Sequence, residues 1–307
     1  MKNKQWVWIT GVTGYTGSFL VKEIRQRYPD TLILGLGRKP ECKLSLDAYS
    51  SVDLVDAKAI DEQLKLYPAK LIFHLAAAMP PLSDQELWHL NVAMIYELMI
   101  ALSRSKLLNT KLLSVGSAAE LMNKASGAYT ENDPAFGFTP YGKSKAVQAK
   151  LAKLLAKELG LDVYFARSFN FLGPGLPEKW VAGRLCKQLA TSKEKLVLGN
   201  LQAERDFVDI RDVVSAYCDI VEKGEPGEVY NVCTGRATAI STLVEKACEL
   251  LGDERPEIES DMEQLSRSEV SSVYGDPQKI TRATGWRPKI AFTQSLQDMI
   301  EAYRDAE

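Results

Sequence analysis

Through the first half of this chain, short runs that are apolar along their whole length alternate with longer stretches of helical spacing. The runs are WVWIT (6–10), TLILGLG (31–37), SSVDLV (50–55), KLIFHLA (70–76) and KLLSVGS (111–117); the helical stretches fall at 17–28, 57–66, 86–106 and 141–159. Strands without polar alternation are covered on both faces, and helices between them supply the crossovers that parallel strands require. The pattern predicts an α/β chain built on a Rossmann-type, doubly wound parallel sheet. DVYFARSFN (162–170) and GEVYNVCTG (227–235) read as two further strands of that sheet.

Other segments are richer in Pro, Gly and charge: GPGLPEKW (173–180), VLGNLQAERDF (197–207) and 252–289. The strand at 227–235 falls among them, so they predict a smaller, interleaved C-terminal substrate-binding lobe instead of a contiguous second domain. The expected boundaries are 1–167 for the Rossmann domain, with later strand and helix segments near 207–235, and 168–206 with 236–307 for the lobe. The 307 residues suit two units of about 150 each.

Composition narrows the partners. Lys and Arg number 38 against 40 Asp and Glu, a net charge of −2, which gives no electrostatic reason to expect nucleic acid or an acidic membrane. LIFHLAAAM, the most apolar stretch, is far short of the about 20 residues that span a bilayer. MKNKQWVWITG enters a strand with no signal-like apolar region, and the five cysteines (42, 186, 218, 233, 248) are widely spaced with no C-x-x-C. A reducing, cytoplasmic setting with inert thiols is expected. With only His74 and His89 and no cysteine cluster, no metal site is expected.

TGVTGYTGSFL follows the first strand and opens a helix. Its Gly11, Gly14 and Gly17 allow a tight turn, close approach of backbone N–H groups to a diphosphate, and close helix–sheet packing; Thr13, Tyr15 and Thr16 share that turn. The second strand ends in LGLGRKP, where an acid would accept the ribose hydroxyls of NAD. Arg38, with Lys39 beside it, suits a 2′-phosphate instead, which favours NADP(H) with NAD(H) as the alternative. Asp53 and Leu54 are placed to meet the adenine. In HLAAA (74–78), Leu75, Ala76 and Ala77 let a cofactor pass close to backbone, while His74 reads as packed and hydrogen-bonded.

SVGSAAEL (114–121) ends the fifth strand, where open α/β sheets place ligands, and makes Ser117 a candidate hydroxyl donor. In TPYGKSKA (139–146), Tyr141 and Lys145 lie four apart on a helix and so share a face. A phenol titrates near ~10, and a neighbouring ammonium with an oxidised nicotinamide is expected to stabilise the phenolate and lower that. Such a tyrosine exchanges a proton with an alcohol or carbonyl while a nicotinamide exchanges hydride.

The glycine pattern, the serine and the Tyr-x-x-x-Lys pair resemble the extended short-chain dehydrogenase/reductase family of nucleotide-sugar epimerases, dehydratases and reductases. The similarity covers nearly the whole chain. RSFNFLGPG, VLGNLQAERDFVDIRDVV, YNVCTG, RSEV and YGDPQKITRATGWRPK are similar to the branch acting on GDP-sugars, both its GDP-mannose 4,6-dehydratases and its GDP-4-keto-6-deoxymannose reductases. The resemblance implies Ser117, Tyr141 and Lys145 as the catalytic set, the last two also touching cofactor. It implies Asn170, Arg205 and Arg267 on the substrate diphosphate, Val197, Leu198, Gly199 and Asn200 along the nucleotide or sugar, and Arg184 reaching the phosphates.

One departure bears on the reaction. Dehydratases of this family carry an acidic base two residues after the catalytic Ser or Thr; here that position is Ala119, with Glu120 one further on, and Leu121-Met122 replaces the usual Tyr-Gly. The resemblance therefore implies an NADPH-dependent reductase of the 4-keto group of a GDP-linked 6-deoxy sugar. A 4-epimerase or 4,6-dehydratase that recycles its cofactor is the alternative, and a non-catalytic NADP sensor is disfavoured by the intact Ser, Tyr and Lys. In the helix at 143–159, Lys150, Lys153 and Lys157 share one face and Val147, Leu151, Leu154 and Leu155 another, read as solvated and packed sides. The resemblance also implies a homodimer in which this helix and that at 91–106 meet their copies in a four-helix contact.

Overall fold

The computed structural model describes residues 6–191, 196–252, 258–260 and 272–305. Six strands and four helices open the chain, alternating except that β3 follows β2 directly: β1 (Trp6–Thr10), α1 (Tyr15–Arg27), β2 (Leu32–Gly37), β3 (Ala48–Ser51), α2 (Ala57–Leu66), β4 (Ala69–His74), α3 (Asp84–Arg104), β5 (Lys111–Ser117), α4 (Pro140–Leu159) and β6 (Val163–Ser168). Then come β7 (Asn170–Leu172), α5 (Val181–Thr191), β8 (Leu196–Leu198), β9 (Glu204–Arg205), β10 (Phe207–Asp209), α6 (Ile210–Lys223) and β11 (Val229–Val232). β12 (Thr238–Ala239), α7 (Ile240–Leu251), β13 (Ile258–Ser260), β14 (Ser272–Val273) and the helices Gln278–Thr284 and Phe292–Arg304 complete the described chain.

Seven strands form one sheet in the order β11-β6-β5-β4-β1-β2-β3, every neighbouring pair parallel. The order reverses between β1 and β4, and a doubly wound sheet opens its ligand crevice at the carboxyl ends of such a pair. Successive side chains of β1 serve opposite faces. Val7 and Ile9 pack with Leu20 and Ile24 of α1 and with Tyr217 of α6, whereas Trp8 packs with Ile60, Ile95 and Leu98. Both faces are covered, as the apolar runs predict.

Local chemistry sets the helix ends. Asp56 caps α2 by accepting from Lys58 N and Ala59 N, and Ser83 with Glu86 forms a capping box on α3. Thr139 Oγ1 accepts from Gly142 N at 3.0 Å with Pro140 in the first turn of α4, so Tyr141 and Lys145 fall on the first two turns. Three expectations move. β3 spans Ala48–Ser51 rather than 50–55, because Asp53 accepts from Val55 N and starts the turn into α2. The run at 162–170 breaks at Phe169 into β6 and β7, and β7 pairs with β10 outside the main sheet. Leu154 of α4 is 62% exposed, not packed.

Outside the main sheet, β9 pairs with β12 and β14, and β8 with β13. Leu172, Leu185, Leu198, Leu243 and Met299 share a separate apolar cluster there. Trp286 is different: it packs with the α6 side of the main sheet, donating through Nε1 to Asp212 O at 3.0 Å. No helix among the described residues is long and apolar enough to cross a membrane.

Candidate active site

A cleft of about 1100 Å³ runs along the carboxyl ends of the strands. It exceeds the roughly 300–1,000 Å³ of a single-ligand pocket, which leaves room for a dinucleotide and a second molecule. Gly11, Thr13, Gly14, Tyr15 and Thr16 form one wall, continued by Arg38, Asp53, Leu54, Leu75, Ala76 and Ala77. Gly11 has φ +66°, and a Cβ on it would stand 2.8 Å from the Ala76 backbone, so this turn must be side-chain-free. Gly17 does not line the cleft; a Cβ there would collide with the Val12 carbonyl, and its task is to let α1 lie close to the turn. Helix α1 starts at the cleft wall with no side chain capping it, leaving its leading N–H groups for an anion. Arg38 and Lys39 are exposed at the cleft edge after β2. The residues present thus fit a dinucleotide, with uncapped donors for its diphosphate.

The loop after β4 is held by two buried groups. Thr10 Oγ1 bonds His74 Nδ1 at 2.9 Å and accepts from Ala76 N at 3.2 Å. Asn91 takes both backbone groups of Ala78, at 2.7 and 3.0 Å, and donates to Ser144 Oγ of α4 at 2.9 Å. His74 is fully buried, and burial pushes its imidazole down to about 3, so it stays neutral.

Ser117, Tyr141 and Lys145 converge where β5 meets α4, and all three line the cleft. Ser117 Oγ accepts from Ala119 N at 3.2 Å, and both it and the Tyr141 phenol face the cleft. Burial and then the Glu120 charge push that phenol up to about 12, with the Ser117 hydroxyl acting in the opposite direction. The neighbouring ammonium is directed elsewhere. Lys145, 2% exposed, donates to Val115 O at 2.8 Å and Gln148 Oε1 at 2.7 Å. Burial pushes it down to about 8, opposed by Glu120. At neutral pH the site therefore holds a protonated phenol beside a largely protonated amine.

Asn170 and Arg205 line the opposite wall. Between them sits Asp206, wholly buried, whose carboxylate accepts from Thr234 N and Oγ1 (2.7 Å each), Gly235 N (2.9 Å) and Gly275 N (3.3 Å). Its own backbone donates to Val273 O and accepts from Asn170 N, each at 3.0 Å. The other substrate candidates are not gathered there. Leu198 is buried in the lobe cluster, Asn200 Oδ1 accepts from Gln202 N in a turn, and Arg184 and Gly199 lie off the cleft wall; the side chain of Val197 lies outside the described residues. Arg267 lies outside the described residues. Sequence reasoning missed Lys179 and Trp180, which line the cleft mouth: Lys179 Nζ is 4.6 Å from the Trp180 ring centre and 3.8 Å from Met79 Sδ, and Trp180 packs against Tyr15 at 6.0 Å. The signal was a cation beside an aromatic in GPGLPEKW, passed over as loop.

Comparison with known proteins agrees with this geometry. Residues 8–299 match the family described as GDP-mannose 4,6 dehydratase. The GDP-6-deoxy-D-mannose reductase of Pseudomonas aeruginosa is 34% identical over 166 residues, which is 52% of this chain and 54% of that one. The dTDP-D-glucose 4,6-dehydratase of Homo sapiens is 23% identical over 97% of this chain and 90% of its own. The structure of RMD from Pseudomonas aeruginosa complexed with NADPH superposes with a TM-score of 0.85 at 26% identity, covering 99% of this chain and 100% of that one. With its parallel sheet, glycine turn and Ser-Tyr-Lys cluster, the chain belongs to the GDP-mannose 4,6-dehydratase family of the extended short-chain dehydrogenase/reductases, NAD(P)-dependent oxidoreductases of nucleotide sugars.

Proposed function

We propose that this enzyme reduces the 4-keto group of a GDP-linked 6-deoxy sugar with NADPH. The observation that carries the reading is the absence of a carboxylate where dehydration needs a base. Among the described residues the only acidic side chain on the cleft wall is Asp53, at the far end beside Leu54; Ala119 lines the reacting end, and Glu120 is buried beneath it. Bound nicotinamide supplies the hydride. Ser117 donates to the carbonyl oxygen and fixes its direction. Tyr141, protonated at working pH, gives its proton to the oxygen as charge develops there. Lys145, anchored by Val115 and Gln148, keeps a positive charge one helical turn away. Arg205 and Asn170 hold the substrate diphosphate, a task suited to a guanidinium fork. Arg38 and Lys39 favour NADPH over NADH.

The test is incubation of purified protein with a panel of GDP-4-keto-6-deoxy sugars and either NADPH or NADH. We expect stoichiometric loss of NADPH absorbance, a 4-hydroxy product by NMR, and slower turnover with NADH. Sugar conversion without net loss of NADPH would replace this reading by an epimerase that recycles its cofactor.

We further propose that two copies associate through α3 and α4. Trp88 and Tyr96 on α3 and Leu154 on α4 are 39%, 42% and 62% exposed, on two helices that pack side by side. Light scattering should give twice the 34.1 kDa chain mass, and Leu154→Glu should shift the protein towards monomer. A monomeric parent protein sinks the idea.

A further inference from the structure

Ser168 and Tyr217 take no part in the scheme above, yet both reach the reacting end of the cleft. In the parallel register of β5 and β6, Gly116 is level with Arg167 and Ser117 with Ser168. Successive positions of a strand serve opposite faces of the sheet. On one side Arg167 Nε lies 3.4 Å from Glu120 Oε2, and a Cβ on Gly116 would collide with Glu120 Oε1. Ser117 and Ser168 belong to the other side, where Leu113, Tyr164 and Ala166 pack with Tyr217 of α6. There Ser168 Oγ and the Tyr217 hydroxyl are hydrogen-bonded at 2.7 Å. Both residues line the cleft, although Ser168 is 4% exposed and Tyr217 is wholly buried.

Two hydroxyls carry two protons, and the bond between them uses one. Neither oxygen has another partner among the described residues. One O–H is therefore left over at the cleft floor, where a buried donor without an acceptor is costly. The order of the cleft walls identifies what it meets. Along the sheet, Arg38 follows β2, the glycine turn follows β1, Leu75 to Ala77 follow β4, Ser117 ends β5 and Ser168 ends β6. A dinucleotide whose diphosphate lies at the glycine turn extends its nicotinamide half towards β5 and β6, because hydride is given beside Ser117 and Tyr141. The one polar substituent of a nicotinamide ring is a primary carboxamide, which accepts at oxygen and donates through nitrogen. The hydroxyl pair offers the complementary set, one free proton and lone pairs on both oxygens. Its polar neighbours are engaged otherwise: Lys145 donates to Val115 O and Gln148, and Ser117 Oγ accepts from Ala119 N and serves the sugar carbonyl.

We propose that the hydroxyl pair of Ser168 and Tyr217 binds the carboxamide of the nicotinamide cofactor. The inference rests on a nicotinamide reacting at Ser117 and Tyr141. It does not depend on which sugar is reduced, so its test needs no substrate.

The decisive variant is Ser168→Ala/Tyr217→Phe, which removes both hydroxyls and keeps both shapes; taking out the two partners together strands neither. Dissociation constants are measured by calorimetry for NADPH against 2′-phospho-ADP-ribose and for NADH against ADP-ribose. In each pair the second ligand is the first without its nicotinamide, so the result stands whichever dinucleotide the protein prefers. The double variant should bind the dinucleotides about ten-fold more weakly, the loss of one or two hydrogen bonds, and the ligands without nicotinamide as tightly as the parent does. Ser168→Ala and Tyr217→Phe are also measured singly, which keeps the test open if the double variant fails to fold. Each leaves one hydroxyl, able to meet the carboxamide oxygen or its N–H but not both, and should weaken dinucleotide binding about three-fold with the same selectivity. Equal weakening of both ligand classes would make the pair a brace of the cleft floor, and unchanged dinucleotide affinity would confine the two hydroxyls to each other. Either result overturns the proposal.

Discussion

Tyr141→Phe should lower kcat for the proposed ketone reduction by roughly 10²–10⁴-fold, the contribution typical of a positioned general acid. The substitution removes one hydroxyl and leaves the ring in place. Its structural cost should not exceed that of one hydrogen-bonding group on the cleft wall, about 0.5–1.5 kcal/mol. Melting temperature and NADPH affinity should therefore stay near those of the parent, since the cofactor wall from Gly11 to Thr16 does not depend on the phenol. Steady-state kinetics with a separate binding titration checks both halves. A kcat close to that of the parent would assign the proton to another group, and equal loss of cofactor binding would mean that the phenol is a binding contact.

Asp206→Ala is expected to act on the whole molecule. It strands the Thr234, Gly235 and Gly275 N–H groups, which the carboxylate now satisfies at 2.7, 2.9 and 3.3 Å in a buried site. An orphaned buried donor costs about 1–3 kcal/mol, so three amount to about 3 kcal/mol or more, against a total stability of about 5–15 kcal/mol for a typical protein. Urea unfolding should show a much lower midpoint, or the variant should fail to accumulate in soluble form. Any folded fraction should bind the nucleotide sugar poorly, because Arg205 precedes Asp206 in the chain and Asn170 N is bonded to its carbonyl. An unfolding midpoint matching the parent's would show that water replaces the carboxylate.

Much of the sheet was legible because strand burial follows directly from hydrophobic period. Six of its seven strands appear within a few residues of their apolar runs; β3 was displaced because VDLV has the hydrophobicity of a strand and the aspartates of a turn. That the proposed cofactor residues share one cleft wall was legible for a related reason: the geometry is local, contributed by short turns after β1, β2 and β4. The substrate wall was not local. Arg184, Leu198 and Asn200 sit near Arg205 in sequence or motif, but packing within the lobe takes Leu198 into a core and Asn200 into a turn. Helical spacing shows that Lys145 shares the face of Tyr141 but not that its ammonium donates to Val115 O and Gln148. The position of Glu120 was out of reach entirely: it depends on Arg167, 47 residues further along the chain.

Gly116 carries a consequence for how this branch of the family can vary. The absent side chain is the space in which the Glu120 carboxylate lies, and that carboxylate is pinned on both oxygens, so it has nowhere to retreat. Positions 116 and 120 are therefore expected to vary as a pair. A lineage that acquires even alanine at 116 must shorten or redirect the side chain at 120, and one that retains the acid in this place must retain the glycine. Alignment of relatives that have kept Ser117 and Tyr141 should show these two columns changing together.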